Sequence, residues 1–317
     1  KTRHKGTKAQ SLILYLKRSS SCLCVFVAKF KFMYKNILVA FDDSEFSKAA
    51  LKEASLWVMK HGGKVILTHV VNPDREGFGI SKTNLKGHLE KAKKLCDKTG
   101  ESAKSDYGID IESLAIEGEP SDVILDIARE KKADLISMGT YGRRSLRRLI
   151  LGSVTSHVVV NSPCDVLVVK KYCSECIGRY DSITLPFDGS EFSRKALNRA
   201  CQLSKIDSAG INAVYVIPRY EELVEFFMTD SIKESLMRES QKIMVTAVKI
   251  AEEQGVSIKT EILEGYTGDK IIEASDKQKN NLIVIGTYGW RGINRAIMGS
   301  TSERILINAT CPVLLVK

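Results

Sequence analysis

Short apolar runs alternate with longer amphipathic stretches along most of this chain. Residues 36–41 form such a run, and the next apolar positions, Ala50, Leu51, Ala54 and Val58, recur at the spacing of a helix. A short apolar run bounded by polar or glycine-rich segments is typical of a strand that is buried on both faces. The pattern therefore predicts strands that alternate with helices.

The alternation continues to residue 169 and then starts again. Further strands are predicted at residues 65–71, 109–116, 135–138 and 166–169, and further helices end near Thr99 or cover 121–131 and 153–161. Ser44 or Asp43 is predicted to cap the first helix. Helical crossovers join parallel strands and cover both faces of a sheet. We therefore expect an α/β fold of two tandem, doubly wound domains, each with a five-stranded parallel sheet.

Corresponding motifs in the two halves are separated by a nearly constant distance. Asp42-Asp-Ser-Glu-Phe-Ser47 returns 146 residues later as Asp188-Gly-Ser-Glu-Phe-Ser193. A constant offset indicates a duplicated unit, and about 140 residues is a normal size for one hydrophobic core. The predicted organisation is a first domain at 33–170, a linker at 171–181 and a second domain at 182–317. The two domains are expected to pair along their last strands, at 166–169 and 313–316.

The positive charge of the chain is concentrated near its beginning. The net charge is +10, but residues 1–32 carry eight Lys and Arg residues and no acidic residue, so the remaining chain has a net charge of only +2. The repeated domains thus lack the basic character typical of nucleic-acid binding, and no nucleic-acid partner is expected. Residues 1–32 have no counterpart in the second half. We expect a basic extension outside the native fold or disordered; a degraded targeting peptide is the alternative.

The sequence does not favour membrane-spanning segments, disulfide bonds or a metal site. No apolar segment has the length of a membrane-spanning helix, so a cytoplasmic protein without a membrane partner is expected. The eight cysteines of this large chain are expected to be reduced. Cys173 and Cys176 have metal-like spacing, but a zinc site needs about four ligands, and two exposed linker thiols are the simpler interpretation. No metal site built from protein ligands is expected.

One glycine motif occurs twice at matching positions. Gly139-Thr-Tyr-Gly142 is followed after nine residues by Gly152-Ser153, and Gly286-Thr-Tyr-Gly289 is followed after nine residues by Gly299-Ser300. The first glycine ends a predicted strand, and ligands of open α/β sheets bind beyond the carboxyl ends of strands. Glycine loops and helix amino termini present backbone N–H groups to phosphate, here with the Ser153 and Thr155 hydroxyls as additional donors. The alternative is that these glycines serve helix–strand packing alone.

Residues 33–317 resemble two tandem domains of the universal stress protein family. The motif Gly-x2-Gly-x9-Gly-[Ser/Thr] is the signature of the ATP-binding branch of that family, and both copies here are intact. The resemblance implies a Rossmann-like fold, similar to the adenine nucleotide alpha hydrolases, with strand order 3-2-1-4-5. It also implies an adenine nucleotide, ATP or else ADP or AMP, as the ligand.

The resemblance assigns site residues in each domain. Asp42 and Asp188 would contact the nucleoside, with a helix cap as their alternative role, and the backbone of Val70 and Val216 would meet the adenine. Met138 and Ile285 would line the base or ribose pocket. The phosphates would be held by Gly139, Gly142, Gly152, Ser153 and Val154 in the first domain and by Gly286, Gly289, Gly299, Ser300 and Thr301 in the second.

A nucleotide-dependent sensor or regulator of a stress response is the leading functional hypothesis. The alternatives are a nucleotide-independent scaffold of the same fold and a slow ATPase or self-phosphorylating enzyme. Mg²⁺ or Mn²⁺ would be held mainly through phosphates and water. No acid–base group recurs beside both motifs, since His69 corresponds to Tyr215 and His157 is aligned with Ile305. Catalytic residues are therefore not assigned, and a homodimer of the whole chain is a further possibility.

Overall fold

The computed structural model describes residues 33–73, 82–142, 151–170, 178–218, 230–279, 281–287 and 298–317. The first half contains β1 (Asn36–Ala40), α1 (Glu45–His61), β2 (Lys64–Val71), α2 (Lys82–Tyr107), β3 (Asp110–Glu117), α3 (Pro120–Glu130), β4 (Leu135–Gly139), α4 (Ser153–Asn161) and β5 (Asp165–Val169). The second half contains β6 (Ser182–Pro186), α5 (Glu191–Asp207), β7 (Gly210–Pro218), α6 (Asp230–Glu253), β8 (Ile258–Gly265), α7 (Thr267–Lys277), β9 (Leu282–Gly286), α8 (Ser300–Asn308) and β10 (Val313–Val316).

The strands form one ten-stranded sheet that runs through both halves. Their order is β3-β2-β1-β4-β5-β10-β9-β6-β7-β8, so each half has the predicted order 3-2-1-4-5. Pairing is parallel within each half and antiparallel where β5 meets β10. The equivalent residues Leu167 and Leu314 face each other at the centre of that junction. The expected α/β fold and the pairing of the last strands are thus confirmed.

The first helix of each half begins with the same serine cap. Ser44 Oγ accepts a hydrogen bond from the Ser47 amide at 3.2 Å, and Ser190 Oγ accepts one from the Ser193 amide at 3.2 Å. Of the two predicted alternatives, Ser44 is therefore the cap. Asp43 precedes it with a left-handed φ of 65°, a conformation that Asp tolerates and that Gly189 adopts at the equivalent position with a φ of 79°.

Helix α2 is longer than the sequence pattern indicates. It passes through Gly100 to Tyr107 rather than ending near Thr99. A Cβ at Gly100 would lie 2.4 Å from Ser113 Oγ, so this glycine lets the helix pack closely on β3. The helix ends at Gly108, whose φ of 62° is the left-handed conformation typical of a helix stop. The predicted end near Thr99 is therefore wrong by about two turns.

A continuous apolar core lies on one face of the sheet and crosses the junction between the halves. Its buried members come from β1, β4, β5, α3 and α4 and from β9, β10, α7 and α8, among other elements. Leu38, Ile136 and Val166 of the first half and Ile283 and Leu315 of the second have no exposed surface. Such burial on both sides of the junction makes the ten-stranded sheet one packed structure.

Within the described residues, no helix combines the length and the apolar character needed to cross a membrane.

Asp165 joins the two halves through buried polar contacts. Its Oδ2 accepts hydrogen bonds from the Tyr34 hydroxyl and from Arg199 Nε, both at 2.7 Å. Its Oδ1 accepts one from the Lys317 amide at 3.2 Å. The Asp165 side chain is only 3% exposed, so the three donors compensate for the loss of water.

A second contact between the halves joins His61 and Asp207, which occupy equivalent positions at the ends of their helices. His61 ends α1 and Asp207, 146 residues later, ends α5; their Nε2 and Oδ1 atoms are 3.3 Å apart. Lys60 Nζ lies 3.2 Å from the same oxygen, and the Tyr180 amide donates to Asp207 Oδ2 at 3.1 Å. Although burial alone would raise it, the donors from His61, Tyr180 and Lys60 hold the pKa of Asp207 below its ordinary value.

This contact makes the stability of the chain dependent on pH in acid. Because the pKa of Asp207 is lowered on folding, its stabilising contribution is complete above the unfolded value of about 3.9 and is lost as the pH falls further. In the Asp207→Asn variant we expect a smaller loss of Tm between about pH 5 and pH 3 than in the unaltered chain. Parallel thermal unfolding series at each pH measure this difference. Equal losses of Tm in both proteins would contradict it.

Candidate functional site

The candidate site lies where β1 and β4 end side by side. Ile37 to Ala40 of β1 pair with Leu135 to Met138 of β4, and the connection from β1 leads to β2 on one side while that from β4 leads to β5 on the other. A crevice forms where two connections leave neighbouring strands in opposite directions, and open α/β sheets bind their ligands there. β6 and β9 are the equivalent neighbours in the second half.

The structure brings Asp42 and the first glycine loop together across this crevice. A Cβ at Gly142 would lie 2.9 Å from Asp42 Oδ2, so a larger residue would occupy the space beside the carboxylate. Asp42 Oδ1 accepts a hydrogen bond from the Ser44 amide at 3.1 Å, and Asp188 Oδ1 accepts one from the Ser190 amide at 3.0 Å. Both aspartates are thus held in a turn that precedes the helix, and neither is the helix cap.

The backbone of Val70 faces the crevice. The Phe41 amide donates to the Thr68 carbonyl at 2.8 Å, which shows that Thr68 faces β1, and the Val71 carbonyl faces the other way, accepting from the Gly118 amide at 3.0 Å. Alternate residues of a strand point their backbone groups to the same side, so the N–H and carbonyl of Val70 point past the end of β1.

Val216 has the same orientation in the second half. The Phe187 amide donates to the Val214 carbonyl at 2.9 Å, and the register of β7 with β8 continues without interruption to Pro218. Val216 follows Val214 by two residues, so its N–H and carbonyl point past the end of β6. The N–H and carbonyl groups of both valines therefore point in the direction that the predicted contacts with a ligand require.

Met138 and Ile285 each precede the last residue of their strand, β4 or β9. Met138 pairs with Ala40 and is 3% exposed, and Ile285 pairs with Leu315 and is 4% exposed. Both belong to the continuous apolar core, so their main observed contacts are with other side chains. The structure thus gives them a packing role in addition to their predicted position at the pocket.

Helices α4 and α8 both begin with a glycine at the N-cap position. Gly152 and Gly299 are the N-cap residues, and neither cap has a side-chain hydrogen bond. Ser153 and Ser300 follow and are exposed, while Val154 and Thr301 are half-buried. The N-cap residue itself thus leaves the first N–H groups of each nine-residue helix without a side-chain acceptor, and the positive end of a helix favours an anion.

The first glycine of each motif serves packing. A Cβ at Gly139 would lie 2.6 Å from Phe46 Cβ, and a Cβ at Gly286 would lie 2.7 Å from both Cβ and backbone C of Phe192. Real side chains do not approach so closely, so both strand ends need glycine to lie against α1 or α5. Tyr141 then packs on Phe46 with ring centroids 5.4 Å apart.

The threonine after the first glycine fixes the loop to the neighbouring strand. The Thr140 amide donates to the Val169 carbonyl at 3.2 Å, and the Thr287 amide donates to the Val316 carbonyl at 3.2 Å. The Thr287 hydroxyl also donates to Val316, at 2.8 Å. Sequence reasoning assigned no role to these threonines or to Phe46, although the repeated Gly-Thr-Tyr-Gly and Glu-Phe-Ser segments were a signal.

Thr155 does not have the role that the sequence indicated. Its hydroxyl donates to the Gly139 carbonyl at 2.9 Å, and the residue is 4% exposed. The Gly152 amide likewise donates to the Thr140 carbonyl at 3.2 Å. Thr155 therefore links the start of α4 to the glycine loop, and the prediction that its hydroxyl is a donor to phosphate is wrong.

Three residues named in the sequence analysis, Gly289, Cys173 and Cys176, lie outside the described residues.

Comparison with known proteins identifies the family of this chain. The model of the universal stress protein family matches residues 33–170 and again residues 179–317. The chain belongs to the universal stress protein family. The resemblance found in its glycine motifs is thereby confirmed, and the two matches correspond to the two halves of the sheet.

Individual universal stress proteins match one half or both. A universal stress protein of Methanocaldococcus jannaschii is 38% identical over 159 residues, which cover 48% of this chain and 94% of that protein. One of Thermus aquaticus is 36% identical over 141 residues, covering 44% of this chain and all of that protein. The crystal structure of a universal stress protein from Archaeoglobus fulgidus covers 91% of this chain and 98% of its own, with a TM-score of 0.70 and 20% identity. The last comparison supports the tandem fold.

The two universal stress protein domains carry equivalent side-chain contacts between their last two helices. His157 Nε2 of α4 lies 3.7 Å from Asp122 Oδ1 of α3. Arg304 of α8 donates to Asp269 of α7 through Nε at 2.5 Å and NH2 at 2.7 Å. His157 thus corresponds to Arg304, and its alignment with Ile305 is wrong; the pairs match at an offset of 147. Both positions link neighbouring helices.

The two crevices differ beyond the ends of their second strands. In the first domain, Asn72 Nδ2 donates to Glu119 Oε2 at 2.6 Å, and Asn72 is 7% exposed. In the second domain the equivalent residues are Pro218 and Tyr266, and Tyr266 is 69% exposed. A buried hydrogen bond between polar side chains in the first domain is therefore replaced by an exposed aromatic side chain in the second.

In the described part of the chain, no cluster of three or more His, Cys, Asp or Glu residues could hold a metal ion.

Proposed function

We propose that each domain binds an adenine nucleotide at the carboxyl ends of its first and fourth strands, and that its occupancy regulates the contacts of the protein in a stress response. The observation that carries this proposal is the convergence of three features at one crevice. These are the Asp42 carboxylate, the space kept open by Gly142 and the glycine-capped amino terminus of α4. Asp188 and the glycine-capped start of α8 are the equivalent features described in the second half. Membership of the universal stress protein family supports it.

The chemistry of the crevice fits the parts of a nucleotide. The N–H and carbonyl of Val70 face the same side, and the edge of adenine offers a complementary acceptor and donor. The Asp42 carboxylate is suited to accept hydrogen bonds from ribose hydroxyls. The amides of the first turn of α4, from Ser153 onward, would hold phosphate oxygens, because free N–H groups and the helix dipole both favour negative charge. Gly152 would contribute close approach to the phosphate, since its own amide donates to the Thr140 carbonyl. ATP is the proposed ligand, with ADP and AMP as alternatives.

A divalent cation would accompany the phosphates. Mg²⁺ or Mn²⁺, held by phosphate oxygens and water, would neutralise part of their charge. The aspartates near the crevice already serve turns: Asp42 accepts from the Ser44 amide and Asp188 from the Ser190 amide. The proposed role of the protein groups is therefore to bind and orient the nucleotide.

Regulation fits the described residues better than rapid catalysis. Hydrolysis needs a group that positions or deprotonates water at the terminal phosphate. The titratable side chain of α4, His157, lies 3.7 Å from Asp122 and is matched by Arg304 in the other copy. An acid–base function shared by both sites is thus not supported, although slow turnover is compatible with the fold.

A nucleotide-independent scaffold is the second candidate, and one observation favours it. Gly139 and Gly286 are explained by contact with Phe46 and Phe192 alone, without reference to a ligand. Packing does not explain Gly299 in the same way, because a Cβ there would meet no atom within 4 Å. Gly299 therefore discriminates between the two candidates, whereas Gly152 does not, because a Cβ there would lie 3.1 Å from the Thr140 carbonyl oxygen.

Glutamate substitutions at the two helix amino termini test the proposal. Ser153→Glu and Ser300→Glu place a carboxylate where phosphate would bind, while acidic residues in the first turn are favourable for a helix. We expect calorimetric titration of Mg-ATP into the full chain to detect two sites and each variant to lose one of them. The affinity at the altered site should fall about tenfold to a hundredfold, since hydrogen bonds to charged groups contribute about 1.5–3 kcal/mol.

A matched control separates local from general charge effects. Gln241→Glu adds the same charge on the exposed surface of α6 and should leave both sites intact. Absence of ATP binding by the unaltered chain would reject the nucleotide proposal and leave the scaffold as the better one. Binding that survives the double variant Ser153→Glu/Ser300→Glu would reject this location of the phosphates.

A further inference from the structure

Lysines at the ends of the central strands reach across the domain junction. Lys317 Nζ donates to the carbonyls of Val159 at 2.6 Å and Val160 at 2.9 Å, which lie in the last turn of α4. Lys170 Nζ donates to the carbonyl of Ile307 in the last turn of α8. Val160 and Ile307 are equivalent positions, so each domain supplies a cation to the carbonyl end of the other domain's phosphate helix.

These contacts provide hydrogen-bond donors for carbonyl groups at the end of each helix. The last carbonyls of a helix have no partner within it, and the negative end of the helix dipole favours a cation. Lys317 is partly buried, and burial lowers the pKa of its amine to about 8, so that most of it is still charged at neutral pH. A charged amine from the opposite domain therefore holds the end of α4 that lies farthest from its phosphate-binding turn.

Each lysine is also attached to the glycine loop of its own domain. Val169 accepts the amide of Thr140 from the first motif, and Lys170 is the next residue. Val316 accepts the amide and hydroxyl of Thr287 from the second motif, and Lys317 is the next residue. A short covalent and hydrogen-bonded path thus connects the glycine loop of one site with the phosphate helix of the other, in both directions.

The segment before each lysine belongs to the paired strands β5 and β10. β5 and β10 pair from Val166 to Val168 with Val313 to Leu315, and all these residues are buried. Asp165 Oδ1 accepts the Lys317 amide at 3.2 Å, and Asp165 Oδ2 is bound to Arg199 at 2.7 Å. The backbone at Lys317 is therefore fixed, and its side chain is directed to α4 by the junction itself.

We propose that Lys317 and Lys170 are positioning residues, each of which supports the nucleotide site of the opposite domain. This inference rests on the proposed function. A nine-residue helix is marginally stable by itself. A phosphate at one end and a lysine at the other stabilise the same ordered helix, so whichever contact forms first reduces the ordering cost of the second. Thermodynamic linkage makes the effect reciprocal.

Variants that isolate one site test the crossed action of the lysines. In the Ser300→Glu background, where only the first site remains, Lys317→Met should weaken ATP binding about fivefold or more, the lower end of allosteric couplings. In the Ser153→Glu background, where only the second site remains, Lys317→Met should have a much smaller effect. Lys170→Met should give the opposite pattern. Lys317→Arg should restore most of the affinity of the first site, because it keeps the charge.

A purely structural role predicts a different outcome. If Lys317 only stabilised the fold, its loss would lower Tm and weaken both sites alike. Lys195→Met is the matched control, because Lys195 forms an exposed pair with Glu191 at 3.2 Å. Equal effects on both sites, or no effect on the first site, would overturn the crossed action of the lysines. The proposed function would remain intact in that case, provided that the unaltered chain binds ATP at two sites. Failure of the unaltered chain to bind ATP would overturn both.

Discussion

Replacing Asp165 by alanine is expected to lower the free energy of unfolding by about 3–5 kcal/mol, the cost of removing one partner of a buried ion pair. The substitution leaves the Arg199 guanidinium and the Tyr34 hydroxyl without the acceptor that lies 2.7 Å from each. It also releases the Lys317 amide. Because these groups come from both halves, the loss should appear as a weakened junction, with domains that unfold in separate steps.

Denaturant unfolding monitored by Trp57 fluorescence measures this effect, since Trp57 packs on Tyr34 with ring centroids 5.7 Å apart. Asp165→Asn should be less harmful than alanine, because its amide oxygen can still accept a hydrogen bond. Asp126→Ala is the control: Asp126 pairs with Arg129 at 2.8 Å but is 76% exposed, and exposed pairs contribute about 0–1 kcal/mol. A similar destabilisation by the Asp165→Ala and Asp126→Ala variants would contradict the importance of the junction.

Gly286→Ala is expected to be the most destabilising single methyl addition in the glycine motifs, with a cost of about 3 kcal/mol. The added Cβ would lie 2.7 Å from the backbone carbon of Phe192 and 2.8 Å from its oxygen, so α5 itself would have to move. A flexible side chain could rotate away, but a helix backbone cannot. The expected result is a lower Tm and a lower midpoint of denaturant unfolding, both measured without nucleotide.

Gly299→Ala provides a comparison within the same motif. Nothing lies within 4 Å of the added Cβ and the φ of −65° is allowed for alanine, so the stability cost should stay below about 1 kcal/mol, that of a poorer N-cap. We expect this variant to fold normally and to bind Mg-ATP more weakly at the second site, because the methyl group restricts approach to the helix amides. Unchanged stability in Gly286→Ala, or unchanged binding in Gly299→Ala, would contradict the separate roles of the two glycines.

The two sites need not have equal affinities. The first domain closes the region beyond β2 with the buried Asn72 and its partner Glu119, whereas the second has Pro218 and the exposed Tyr266 there. Unequal affinities would spread the response over a wider range of nucleotide concentration than two identical sites would give.

The sequence by itself determined the features that depend on short stretches of chain. An apolar run, a helix cap at Ser44 or Asp43 and a glycine motif are each encoded within a few residues, so these patterns predict strands, helix starts and the loops between them. Duplication at a constant offset then predicted two α/β domains with paired last strands. The family resemblance carried by the motifs predicted the strand order and the residues that would meet at the crevice.

Only the tertiary structure decided which of those residues pack, which stay accessible and which join the domains. Gly139 is a packing residue because Phe46, more than 90 residues earlier, lies on it. The contact between His61 and Asp207 spans 146 residues, and that between Lys317 and Val159 spans 158. No local pattern encodes such contacts, because they exist only when β5 and β10 pair and bring the carbonyl end of one domain's helix beside the last strand of the other.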